Sequence, residues 1–174
     1  FLNINANEDA IFTNGAGNFA IWSGKYLNYS KKHRLLAPQA GAMGAGLPAA
    51  MAAKSIYPNR QVICFAGDGD FQMSVNELGT AMQEGLNPII LIHNNGSYGT
   101  IRMHQELRYP KKISGTNLKN PNFEFIAKAY DFGYFRVTNL NEFTSAFKKS
   151  QRSQSGIIIE MIADIRDISP GKSI

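Results

Sequence analysis

Two short polar clusters carry the residues best suited to do chemistry, and each follows an apolar run. Gly67-Asp68-Gly69-Asp70 comes directly after residues 61–66, and Asn94-Asn95-Gly96-Ser97 directly after residues 89–93. In an open parallel sheet ligands bind at the carboxyl ends of strands, and glycines there let backbone N–H groups approach a phosphate. Asp68 is therefore expected at the mouth of a ligand crevice. A carboxylate beside a phosphate repels it unless a cation lies between them, and carboxylate, amide and carbonyl oxygens form a hard donor set suited to Mg²⁺. The 24 residues 70–93 that separate Gly69 from Asn94 are the length of one helix and one strand. Such a unit returns the chain parallel to the first strand, so that Asp68 and an Asn amide oxygen meet at adjacent strand ends. Either cluster alone makes an ordinary turn. What distinguishes them is their joint order, spacing and position after apolar strands.

The elements that must hold these clusters alternate between short β-rich runs and longer stretches of helical spacing, the pattern of an α/β domain. Strands are predicted at residues 10–13, 61–66, 89–93, 134–137 and 157–161, and helices at 17–29, 47–57 (closed by Pro58) and 142–150. Ser74-Val75-Asn76-Glu77 reads as a capping box ahead of Val75, Leu78, Met82 and Leu86 at helical spacing. A short helix is expected from Tyr98 and a mobile loop at 111–119. Asn120-Pro121 opens a further helix bearing Phe123, Ile126 and Tyr130 and stopping near Gly133. The expected fold is α/β, a parallel sheet flanked by helices on both faces, in one domain over residues 1–174.

With 174 residues, 44% of them hydrophobic, the chain is long enough to bury a core. Its longest apolar runs are strand-sized, far short of the ~20 residues of a spanning helix, so it reads as soluble with no membrane partner. The net charge of +5 is dispersed over groups such as Lys31-Lys32-His33-Arg34 and Lys148-Lys149. That pattern lacks the basic stripe of a nucleic-acid binder and suits attraction for an anionic small molecule. The start Phe1-Leu2-Asn3-Ile4-Asn5 has no secretory pattern and no initiator Met, and reads as the start of a piece of a longer chain. A lone Cys64 inside an apolar strand excludes an internal disulfide and suits a reducing, cytoplasmic setting. His93, at the end of a strand, reads as packing.

Preceded by Gly41-Ala42-Met43-Gly44-Ala45-Gly46-Leu47-Pro48-Ala49-Ala50, the paired clusters resemble the pyrophosphate-binding domain of thiamine-diphosphate enzymes of the acetolactate synthase and pyruvate decarboxylase type. The resemblance runs from about Asp9 to Asp164. It implies the thiamine-diphosphate-binding fold, with thiamine diphosphate and Mg²⁺ as cofactors. The metal ligands it implies are the Asp68 carboxylate, the Asn95 side-chain oxygen and the Ser97 carbonyl. It places the amides of Gly69, Asp70, Tyr98 and Gly99 against the diphosphate, beside Gly67, with Gly17, Asn18 and Phe19 on the other side. Met43 falls where the family sets an apolar wedge under the cofactor, next to Ala42, and the Gly41 carbonyl where it accepts from the cofactor's amino group. Thr100, Ile101 and His104 would face substrate.

The same resemblance implies an absent half. The glutamate that activates the cofactor lies, in this family, on a pyrimidine-binding domain of a neighbouring subunit, and Glu77, Glu84 and Glu106 are not in its motif. The chain is thus expected to act within a homo-oligomer, as part of a longer chain or as the β component of a split enzyme. The run Asn94 onward to Glu106 looks most like acetolactate-synthase-like sequences, which decarboxylate a 2-oxoacid such as pyruvate and then form a carbon–carbon bond. It departs from true synthases at His104, where they carry Trp, at Phe19, where a His is common, and at Asp70, where many relatives have Ser. A simple 2-oxoacid decarboxylase and a non-catalytic cofactor-binding module remain the alternatives.

Overall fold

Strands buried on both faces need apolar residues at every position, and the runs around Ile63, Ile90 and Ile158 meet that demand. The structure, a computed structural model, describes residues 1–167 and 169–171. The remaining end of the 1–174 span lies outside the described residues. Six strands, β1 (Ile11–Asn14), β2 (Arg34–Leu36), β3 (Val62–Gly67), β4 (Ile89–Asn94), β5 (Gly133–Val137) and β6 (Ile157–Ile162), form one sheet in the order β2-β1-β3-β4-β6-β5. Every pairing is parallel.

Eight helices accompany the strands among the described residues: α1 (Leu2–Asn5), α2 (Phe19–Tyr26), α3 (Gly46–Ile56), α4 (Asp68–Gln72), α5 (Glu77–Glu84), α6 (Gly99–Arg108), α7 (Phe123–Ala129) and α8 (Leu140–Ser150). Successive strand side chains point to opposite faces, and the core divides accordingly. Cys64, Ala66, Ile90, Ile92 and Ile158 pack with α3, α5, α7 and Phe71 of α4 on one face. Ile63, Ile89, Leu91 and Ile159 pack with Leu2, Ala146 and Phe147 on the other. Cys64 is fully buried, and burial pushes its thiol up to about 12. Among the described residues no helix is long and apolar enough to cross a membrane.

One glycine sets how closely the layers approach. A Cβ on Gly46, the first residue of α3, would lie 2.5 Å from the Gly15 nitrogen and 2.7 Å from the Asn14 carbonyl carbon. Only glycine lets α3 start against the end of β1, where the Thr13 hydroxyl donates to the Gly46 carbonyl at 2.8 Å.

The structure departs from the sequence reading in several places. α1 was not expected, and α7 starts at Phe123, capped by the Asn122 side chain accepting from the Phe125 amide at 3.1 Å, and not at Asn120-Pro121. β2 was not expected, because Arg34, Leu35 and Leu36 are all exposed and show no alternation. The capping box does not form. Residues 74–79 instead wind through successive three-residue bonds, with Glu77 N–H donating to the Ser74 carbonyl at 2.9 Å. The Ser74 hydroxyl is buried without a partner. The Gly-Asp-Gly segment is itself helical, as α4, with an extended Gly67 before it. Finally, the second half of 111–119 is tied down: Ser97 and Asn117 form an isolated antiparallel bridge, and Thr116 is 1% exposed.

Candidate cofactor site

From β1 the chain passes outward to β2, while from β3 it passes the other way to β4. This reversal is the place where open α/β sheets form ligand crevices, and a cleft of about 240 Å³ opens there at the carboxyl ends of β1, β3 and β4. It is lined by residues 16–19, Gly41, Met43, residues 67–70, His93, Asn95 and residues 97–101.

The cleft thus gathers Gly17, Asn18, Phe19, Gly41, Met43, Gly67, Asp68, Gly69, Asp70, Asn95, Ser97, Tyr98, Gly99, Thr100 and Ile101 from across the chain. Ala42 and His104 are exposed and lie outside its lining. Ala16 and His93 line it as well; the sequence reading passed over Ala16 and took His93 as packing. His93 pairs in the sheet with Gly67, the residue before Asp68. Burial pushes its imidazole down from the usual value, with Asp68 and Asp167 pulling weakly the other way. Its position near the carboxyl end of an apolar strand was the available signal.

Asp68 and Asp70 are each 2% exposed, and burial raises both carboxyls above the ordinary range. Their surroundings differ. Asp68 Oδ2 accepts from the Gly96 amide at 2.9 Å and from Asn120 Nδ2 at 2.7 Å. Asp70 Oδ1 accepts from the Ala16 amide at 3.1 Å and the Gly44 amide at 2.8 Å, clasping the loop after β1 and the loop before α3 to α4. Asn120 had been read only as a helix opener. No local pattern marks it, because its partner Asp68 stands 52 residues away.

The opposite wall is the start of α6. No side chain caps this helix, so its first amides lack the usual partner. The Tyr98 amide donates to the Thr116 carbonyl at 2.9 Å, and the Tyr98 ring lies so close to Gly69 that a Cβ there would sit 2.6 Å from it. Thr100 spans the cleft: its hydroxyl accepts from the Asn18 amide at 2.9 Å and donates to Asn18 Oδ1 at 3.0 Å. Asn95 Oδ1 accepts from the Ser97 amide at 3.1 Å, which leaves an amide oxygen lone pair free.

The donors present suit a hard divalent cation. Among the described residues no three His, Cys, Asp or Glu side chains gather as a metal cluster, and no Lys or Arg lines the cleft. One carboxylate with neutral oxygen donors is the set from which Mg²⁺ is bound when phosphates and waters complete its shell.

Residues 15–161 match the family described as thiamine pyrophosphate enzyme, C-terminal TPP binding domain. The acetolactate synthase large subunit of Porphyra purpurea is 34% identical over 173 residues, covering 95% of this chain and 29% of the relative. That of Parasynechococcus marenigrum is 38% identical over 125 residues, covering 72% of this chain and 20% of the relative. The acetolactate synthase isozyme 2 large subunit of Escherichia coli is 29% identical over 158 residues, covering 90% and 29%. The chain spans less than a third of the length of these relatives.

Proposed function

The chain belongs to the family of thiamine pyrophosphate enzyme C-terminal TPP-binding domains, and from that premise we propose that it holds the diphosphate of thiamine diphosphate through Mg²⁺ within an acetolactate synthase-like enzyme. The observation that carries this reading is the position of Asp68, a buried carboxylate at the end of β3 in a cleft without a lysine or arginine. An anionic diphosphate meets net repulsion there unless a divalent cation accompanies it. Asp68, Asn95 and the Ser97 carbonyl are the metal ligands. The amides of Gly69, Asp70 and Gly99 bind the diphosphate, with Gly17, Asn18 and Phe19 opposite; the Tyr98 amide, expected beside them, is already given to the Thr116 carbonyl, and Tyr98 contributes as cleft lining. Met43 holds the cofactor's bend and the Gly41 carbonyl takes its amino group, while Thr100 and Ile101 border the substrate.

When bound, thiamine diphosphate supplies the electron sink for decarboxylation of a 2-oxoacid such as pyruvate. This chain's own residues orient it and exclude water from one side. The proton-transferring glutamate belongs to a pyrimidine-binding domain of a neighbouring subunit in a cytoplasmic homo-oligomer. Without that partner, turnover falls by at least the ~10²- to 10⁴-fold that positioned proton transfer contributes.

Calorimetric titration of the intact protein with thiamine diphosphate tests the assignment. Binding requires Mg²⁺, disappears in Asp68→Ala and weakens less in Asn95→Ala; unchanged affinity in Asp68→Ala overturns the metal assignment. Product analysis with pyruvate then separates the chemistries. Acetolactate supports carbon–carbon bond formation, and acetaldehyde alone replaces it with simple decarboxylation.

A further inference from the structure

Glu160 sits in the middle of β6, 7% exposed, and among the described residues no basic side chain forms an ion pair with it. A buried, unpaired carboxylate is costly unless donors surround it, and two do. The Tyr134 hydroxyl donates to Oε2 and Asn94 Nδ2 donates to Oε1. An ionised carboxylate only accepts hydrogen bonds, so Glu160 dictates which end of the Asn94 amide faces it. The Asn94 oxygen must then point the other way. It accepts from Asn120 Nδ2 at 2.9 Å and from the Gly96 amide at 3.1 Å.

The same logic passes one step further. Asn120 must present its NH₂ group to Asn94, and the other hydrogen of that group reaches Asp68 Oδ2 at 2.7 Å. The Asn120 oxygen is held by Gln72 Nε2 at 2.9 Å, so both ends of the amide are engaged and a flip would break every contact. Polarity therefore runs in one direction from a buried anion on β6, across β4, to one named oxygen of Asp68. Sheet cohesion alone would not need it, since β4 and β6 already pair through six backbone positions from Ile89 to Asn94.

Resting on the cofactor reading above, we propose that Glu160 and Asn120 are positioning residues. Glu160 acts through Asn94 and then Asn120, and Asn120 directly, to draw Asp68 Oδ2 into the protein and leave Oδ1 for a divalent cation. They act on the cation only through Asp68, as outer partners that orient metal-binding side chains do.

The test measures binding of Mn²⁺ to the intact protein with saturating thiamine diphosphate, from the electron paramagnetic resonance signal of the free ion. Glu160→Gln keeps the shape but lets an NH₂ face Asn94, and Asn120→Leu removes the link. Each is expected to weaken Mn²⁺ by about 10- to 100-fold, the usual loss when such an outer partner is removed, while circular dichroism reports an unchanged fold. Because both act through one chain, the double variant should be no weaker than the worse single one, within about threefold. Tyr134→Phe, which leaves the amide orientations set, should stay within about threefold of wild type. Unchanged Mn²⁺ affinity in folded Glu160→Gln and Asn120→Leu overturns the proposal, as does a double variant in which the two losses multiply. If Glu160→Gln does not fold, Asn120→Leu, on a half-buried loop residue, decides alone. A wild type that binds no Mn²⁺ with thiamine diphosphate overturns the cofactor reading itself, a distinct result.

Discussion

Asp68 and Asp70 stand two residues apart on α4, equally buried, yet they serve opposite walls of the cleft. On the β1 side, Asp70 is the acceptor for the amides of Ala16 and Gly44, and among the described residues neither N–H has another acceptor. On the β4 side, the Gly96 amide has a second acceptor in Asn94 Oδ1 at 3.1 Å, and the one Asn120 hydrogen that Asp68 takes belongs to a half-buried loop side chain that water can reach. One carboxylate is indispensable to its neighbours and the other is not. The contrast teaches that burial and charge alone do not assign a role. What decides is whether the partners have anywhere else to go.

The sharpest way to break this comparison is to remove each carboxylate and measure urea unfolding of the protein without cofactor. Asp70→Ala strands two amides, and at about 1–3 kcal/mol for each unsatisfied buried group it should destabilise by about 2–6 kcal/mol. A loss below about 1 kcal/mol would mean that water replaces the clasp. The β1 wall can be probed again through Gly46→Ala, whose new methyl meets backbone and not a movable side chain. Overpacking of this kind costs about 1–3 kcal/mol, read as a drop in the denaturation midpoint with unchanged slope.

Thr100→Val tests the tie between the walls. It removes both hydrogen bonds to Asn18 at a half-exposed site, where the expected loss is about 1 kcal/mol, and faster amide exchange at Asn18 would report the release. Asp68→Ala should be the mildest, within about 1 kcal/mol of wild type in unfolding, although under the proposed function it should abolish cation-dependent binding. If Asp68→Ala destabilises the protein as much as Asp70→Ala, the distinction between the two carboxylates fails.

How far such a site can be read from sequence depends on how local its signals are. Asp68 and Asn95 were legible because a helix-plus-strand spacing converts directly into neighbouring strand ends, and their strands are apolar at nearly every position. The α/β class and the parallel sheet with helices on both faces followed from the same runs. Asp70 was read for its backbone amide and as a departure from Ser, and the role of its carboxylate was missed, since its partners Ala16 and Gly44 offer backbone N–H groups that no side-chain pattern encodes. Asn120 and Glu160 were invisible for a related reason. Their meaning comes from partners far along the chain, whereas Asn120-Pro121 and a glutamate within an apolar strand each have an ordinary local reading. The edge strand β2 is held by backbone pairing with β1 and leaves its side chains in solvent. Ser74 to Glu77 shows the reverse error, a good local cap overridden by the tight winding of residues 74–79.

The pairing of β4 with β6 carries a kinetic consequence. Ile89 aligns with Ile157, so α6, α7, β5 and α8 all lie inside the loop that this pairing closes. Closing a loop of that size is entropically slow, and domains dominated by such distant contacts fold slowly. Asn94 and Glu160 meet only in that step, whereas Gly67 to Gln72 can take shape early beside their own strand. We expect refolding to pass through molecules in which Asp68 is present but unsupported, and pulse-labelled hydrogen exchange should protect the Gly96 and Leu118 amides in the same slow phase as Ile157. Protection of Gly96 well ahead of Ile157 would place assembly of the wall before closure of the sheet. Cation binding during refolding should then appear last, gated by the arrival of a strand that contributes no atom to the cleft.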